Sequence, residues 1–147
     1  MNQTALKERM RLELNEARKQ RDRLRTGVLS MTLSELRNRE IELGRDAEDA
    51  DVVGVVQRAI KRRREAADQM RQGGRGELAD QEDREAAILG TFMPPALAES
   101  EVRTLVRQAI ANGAASIGAV MSAIMPQIKG SFDGREANRI VREELGS

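Results

Sequence analysis

Between residues 125 and 141 the chain reads MPQIKGSFDGREANRIV. Lys129-Gly130 and Asp133-Gly134 bracket a short loop, and a regular helical pattern follows. Glycine at 130 and 134 permits positive φ and a close backbone approach. Amides that open a helix point outward and favour an anion. Lys129 and Arg135 flank them, and Arg139 stands one turn onward. The loop therefore reads as a phosphate-binding element, with a tight turn between two packing helices as the structural alternative.

A second basic feature is Lys61-Arg62-Arg63-Arg64. Four consecutive residues on a helix point around most of its circumference, so they cannot all face one ligand. One reading is a solvated face with Lys61–Glu65 and Arg64–Asp68 paired at i, i+4. The other is a phosphate-contacting edge in which the forks of Arg62 and Arg63 take part. Glu82, Asp83 and Glu85 read as surface solvation, because nothing near them suggests the burial that separates an acid from a base. Gly73-Gly74-Arg75-Gly76 has no preceding strand and no Gly-Lys-Ser or Gly-Lys-Thr continuation, so it reads as a turn between helices and not as a phosphate loop.

The composition limits what else is possible. Of 147 residues, 33% are charged and 39% hydrophobic, and the aromatics are two phenylalanines. Without tyrosine or tryptophan, strands lack their usual material, and the expectation is an all-α protein. Cysteine and histidine are both absent. That excludes disulfides, Cys/His metal sites and cysteine or Ser-His nucleophiles, and no cofactor is expected. There is no apolar run of about 18 residues to span a membrane. The charged N-terminus has no signal-peptide core, so the expected location is cytoplasmic. A net charge of +1 argues against indiscriminate polyanion binding by the molecule as a whole. The charge is segregated, however, into an acidic run at 46–51 and the basic run at 61–64.

Apolar periodicity supplies the elements that must carry these features. Thr4 can cap a first helix with Leu6, Met10, Leu14 and Ala17 on one face. A second, about Arg21 to Leu43, carries Leu24, Val28, Leu29, Met31, Leu33, Leu36 and Ile41. That arc is wide enough to predict a central position. Gly44 stops it. A third helix runs from about Asp51 to Gln72, and a fourth from about Glu77 to Met93 has a thin stripe of Leu78, Ile88, Leu89 and Phe92. Pro94-Pro95 marks a boundary between an N-terminal domain, 1–95, and a C-terminal domain, 96–147. Beyond it, three helices follow: one introduced by Glu99-Ser100 and closed by Asn112-Gly113, one capped by Ser116 and closed by Pro126, and one capped by Asp133.

With these features in place, the chain resembles the GatB/YqeY family over nearly its full length. The resemblance rests on LRNREIE (36–42), IKRRREA (60–66), MPPAL (93–97), VMSAIMP (120–126), KGSFDG (129–134) and the ANRIVREEL that closes the pattern. It implies an N-terminal helical domain of about four helices and a C-terminal domain of three. That second domain is similar to the tail domain of the tRNA-dependent amidotransferase, which helps hold tRNA. Lys129, Gly130, Asp133, Gly134 and Arg135 match the family's loop and following helix, and Gly118, Met121 and Pro126 its preceding helix. Serine replaces the usual arginine at 131 and the usual glycine at 122, and alanine the common glutamine at 96.

The resulting expectation is a non-catalytic, tRNA-associated helical module. Its binding residues are Lys129, Gly130, Gly134, Arg135 and Arg139, with Arg62 and Arg63 as a second site. Two phenylalanines offer little base stacking, so contacts would be to phosphate and shape. An alternative is an accessory protein whose partner belongs to the amidotransferase or the translation machinery. The family resemblance also implies carbon–nitrogen ligase activity with glutamine as amido-N donor. The chain has no nucleotide loop, metal cluster or nucleophile–base set to support that activity, and it ranks last.

Overall fold

The structure, a computed structural model, describes residues 5–146. It is all-α: α1 (Ala5–Lys19), α2 (Arg23–Leu43), α3 (Asp49–Gln72), α4 (Gly76–Gly90), α5 (Glu99–Ala111), α6 (Ile117–Ile128) and α7 (Gly134–Gly146). No strand occurs among the described residues. The chain divides into two compact units, Met1–Met93 and Pro94–Ser147.

The core of the first unit comes from Met10 and Leu14 of α1, Val28, Leu29 and Leu36 of α2, Val52, Val55 and Val56 of α3, Leu89 of α4, and Phe92 just beyond it. The start of α3 is enclosed on all sides, Val52 to Val56 being buried without a break. Large side chains are few, so helices close the gaps by approaching one another over alanine. Ala59 and Ala67 of α3 and Ala79 and Ala86 of α4 have no exposed surface. Phe92 is covered on one side by the Arg9 guanidinium, 4.4 Å from the ring centroid, a cation–π contact. Arg9 also donates to the Thr91 carbonyl.

Several elements depart from the sequence reading. The α2 arc is not wholly buried: Met31 is 57% and Ile41 72% exposed, and Thr32 lies inside, its hydroxyl donating to the Val28 carbonyl at 2.8 Å. α2 is nevertheless central as the wide arc predicts, packing against α1, α3 and α4, and its two exposed apolars are ordinary isolated surface residues. In α4 the buried face is Ala79, Ala86 and Leu89, while Leu78 is 49% exposed. The helix ends at Gly90, so Phe92 reaches the core from the turn after it. Helix α6 continues through Pro126 to Ile128. Pro126 and Ser122 are both exposed, so the Ser122 carbonyl that loses its helical donor can be hydrated instead.

The caps follow chemistry. Ser116 Oγ accepts from the Ala119 amide at 3.1 Å, and Asp133 Oδ1 from the Arg135 amide at 3.3 Å. Before α5 the cap position is Ala98, whose amide donates to the Glu101 carboxylate at 3.2 Å. Asp51 likewise accepts from the Glu48 amide at 2.9 Å at the start of α3. The predicted Thr4 cap lies outside the described residues. The Leu6 amide near the start of α1 is met by Asp49 Oδ1 at 2.9 Å, a cap lent by a distant part of the chain.

One polar node ties α1, α2 and the loop before α3. Glu40 accepts from Lys7 Nζ at 2.6 Å and from the Ala47 amide at 2.7 Å, in a largely buried position. The Lys7 hydrogen bond, then the Ala47 amide, holds the Glu40 carboxyl below its ordinary 4.5. Arg45, 2.8 Å away, does the same for Asp51. A depressed carboxyl contributes stability that is full above its unfolded value and is lost as pH falls through the lower folded one. The melting temperature is therefore expected to fall on acidification below about pH 4.5. Glu40→Gln should make that fall shallower, and a pH series of thermal melts checks it. An unchanged pH dependence in the variant would remove the node from the account.

Candidate nucleic-acid interface

The loop between α6 and α7 is built by the backbone. Ser131 and Phe132 amides both donate to the Ile128 carbonyl, at 2.8 and 3.0 Å, and Gly130 adopts φ 79° to allow it. The Leu97 amide donates to the Ser131 carbonyl at 2.8 Å and pins the loop from outside. Gly130 is thus required by conformation. Gly134 is not: it lacks positive φ, and nothing stands within 4 Å of where its Cβ would lie. The expectation of two conformationally special glycines holds for one.

The helix start carries the cap expected at Asp133. Its carboxylate accepts from one amide of α7, that of Arg135, beside the helix start to which an external anion is assigned. Arg139 is likewise engaged, within 2.5 Å of Glu99, 2.6 Å of Glu143 and 3.0 Å of Glu136. These partners, Glu136 first, raise its pKa above the ordinary arginine value. Arg103 joins the same brace, 2.6 Å from Glu143 and 3.2 Å from Glu144, and so α5 is tied to α7 by charge. Lys129 and Arg135 remain. Both are exposed, and neither makes an ion pair with the described residues; Arg142 is in the same condition.

Next to Lys129 runs a surface that sequence reading missed. Gly118, Ala119, Ser122, Ala123 and Pro126 of α6 are exposed, and no charged residue occurs anywhere in the helix. In a chain that is one-third charged, the missing charge over 117–128 was the available signal.

The chain matches the family described as Yqey-like protein over residues 7–145. It belongs to that family. Among curated proteins none matches it. The matched span includes both candidate regions of this Yqey-like chain.

The basic run on α3 resolves into four different situations. Arg62 is exposed and 2.6 Å from Glu35 of α2. Arg63 is buried: Nε is 3.4 Å from Glu85 of α4, Nη1 donates to the Ala59 carbonyl at 3.2 Å, and Nη2 meets the Met31 sulfur at 3.7 Å. Burial removes Arg63 from any surface contact and makes it a tie among α2, α3 and α4. Lys61 lies 4.0 Å from Glu65. Arg64 is exposed, and its predicted pairing with Asp68 does not form. The acidic trio on α4 is not plain solvation either, since Glu85 meets Arg63 and Asp83 lies 2.5 Å from Arg71.

Among the described residues no group of acidic side chains is arranged to hold a metal, and no helix is long and apolar enough to cross a membrane. If Arg63 is structural, Arg63→Ala strands Glu85 in a mostly buried position and should cost about 3 kcal/mol. Arg62→Ala should change stability little. Chemical denaturation of the two variants separates them, and equal midpoints would return Arg63 to the surface candidates.

Proposed function

We propose that this Yqey-like protein is a non-catalytic module that associates with tRNA, holding its phosphates with Lys129 and Arg135. The observation that carries the reading is local. Two exposed cations without ion-pair partners among the described residues flank a loop pinned by backbone hydrogen bonds, Lys129 at its start and Arg135 in the first turn of α7, while Arg103, Arg107 and Arg139 of the same unit are neutralised by glutamates. The small, uncharged face of α6 that leads into Lys129 would let a sugar–phosphate backbone approach without repulsion or bulk.

Recognition in this reading is by phosphate and shape. Phe92 is fully buried and Phe132 packs on the core of its own unit, so neither offers a platform for bases. The resemblance to an amidotransferase tail supports tRNA as the nucleic acid. The chain brings none of the nucleotide-binding or nucleophilic equipment that amide transfer uses, which supports a module without chemistry of its own.

The test is tRNA affinity across a salt series for wild type and Lys129→Ala/Arg135→Ala. Losing two phosphate contacts should lower the log–log salt slope by roughly 1.5–2 and weaken binding at low salt. Equal affinity would take the loop out of the mechanism. No tRNA binding by the wild type would favour the protein-partner reading.

A further inference from the structure

The turn from α1 into α2 carries Arg18, Lys19, Arg21 and Arg23, all exposed and without ion pairs among the described residues. Arg18 and Lys19 occupy the last turn of α1, where a cation complements the helix dipole, and need no further reason. The other two are placed against local preference.

Arg21 has φ 58°, and among the described residues it is the one non-glycine with positive φ. The hydrogen bonds say why. The Asp22 amide reaches back to the Ala17 carbonyl at 3.0 Å and the Arg21 amide to Arg18 at 3.1 Å, the paired bonds of a Schellman cap. The same pair closes α3, from Arg75 to Met70 and from Gly74 to Arg71, and closes α5, from Ala114 to Ala109 and from Gly113 to Ile110. In those two the left-handed position is glycine, Gly74 and Gly113. At the first it is arginine, which strains where glycine does not.

Arg23 is the second anomaly. Asp22 both completes the α1 cap and caps α2, accepting from the Arg25 amide at 3.0 Å. Arg23 is then the first residue of α2, at the positive end of the dipole, and that first turn contains no acidic residue. Arg25 nearby is neutralised by Glu13 at 2.6 Å. Glu16 and Asp22 are the acidic side chains of this stretch; the first bonds Gln20 and the second the α2 amide. The corner thus holds a surplus of positive charge on a backbone fixed by two interlocked caps.

We infer that this corner is a second phosphate-backbone contact, in which Arg21 and Arg23 reach a nucleic acid strand. Strain retained in a left-handed arginine and a cation set against a helix dipole both lower stability, and both add charge at the same place. The inference rests on the tRNA reading and adds to it a surface in the first unit.

The test joins stability with binding, using Arg21→Gly, Arg23→Gln and the double variant in the full chain. Thermal melts should be unchanged or higher, because the first supplies the residue used in the two sister caps and the second removes a cation from the positive helix end. The tRNA salt slope should fall by roughly 1.5–2 for the double variant. As a charge-matched control, Arg37→Gln/Arg84→Gln, two exposed arginines elsewhere in the unit, should leave the slope nearly as in wild type. Lower melting with unchanged binding would make the corner structural and overturn the inference, as would an equal loss of slope in the control. If the Lys129/Arg135 variant loses tRNA while the corner variant keeps it, this inference alone falls. If wild type binds no tRNA, both readings fall.

Discussion

Arginine–glutamate pairing is the constraint on which both packing and surface chemistry depend. The chain carries 25 basic and 24 acidic residues and no histidine, so nearly every cation has an anion to choose. Where the choice is made inside, it organises the helices. Arg63 with Glu85 joins α3 to α4, and Lys7 with Glu40 joins α1 to α2. Arg103 and Arg139 with Glu99, Glu143 and Glu144 join α5 to α7. The two buried pairs, Arg63–Glu85 and Lys7–Glu40, are the ones whose disruption is costly, since removing either partner leaves a charge with little water to hydrate it. The exposed ones mainly select a register. Which cations are left without an ion pair is then a remainder, and it cannot be read from a basic run as such.

The need for such ties follows from a core short of bulk. The second unit buries mainly Val102, Val106, Val120, Ile124, Ile128, Ile140 and Val141, in a segment of the size at which a core alone is marginal. Charge pairs along the α5–α7 seam fix how these aliphatics meet. They also consume Arg139, so one cation expected at the loop is taken by the fold. A residue at helical spacing from a candidate site can serve packing and binding equally well, and proximity in sequence does not decide between them.

Much of the architecture was legible because it rests on local chemistry. The apolar periods of α5 and α7, the Ser116 and Asp133 caps, and the stops at Gly44 and Gly113 each depend on a few neighbouring residues, and they appear where expected. What was not legible depends on distant partners. Arg63 is buried because Glu85, Ala59 and Met31 come to it, and nothing in KRRR distinguishes it from Arg62. The start of α1 is capped by Asp49, far along the chain. Pro126 looked like a stop because the intrinsic cost of proline was visible, whereas the exposure that softens it was not.

Within the candidate site the same division holds. Positive φ at Gly130 follows from the turn it makes, but the Leu97 bond that pins that turn does not. The most informative surface features are departures from the chain's own habits. A helix without charge, α6, occurs in a chain one-third charged, and an arginine occupies a cap position that the chain elsewhere gives to glycine. Neither departure improves the isolated fold. A solvent-facing helix gains solubility from charge, and a left-handed cap gains stability from glycine. Features that oppose the fold's own preferences are better explained by something the surface meets than by packing. Here both departures suit the phosphate backbone we propose: the uncharged surface would let it approach, and the arginines would hold it by charge.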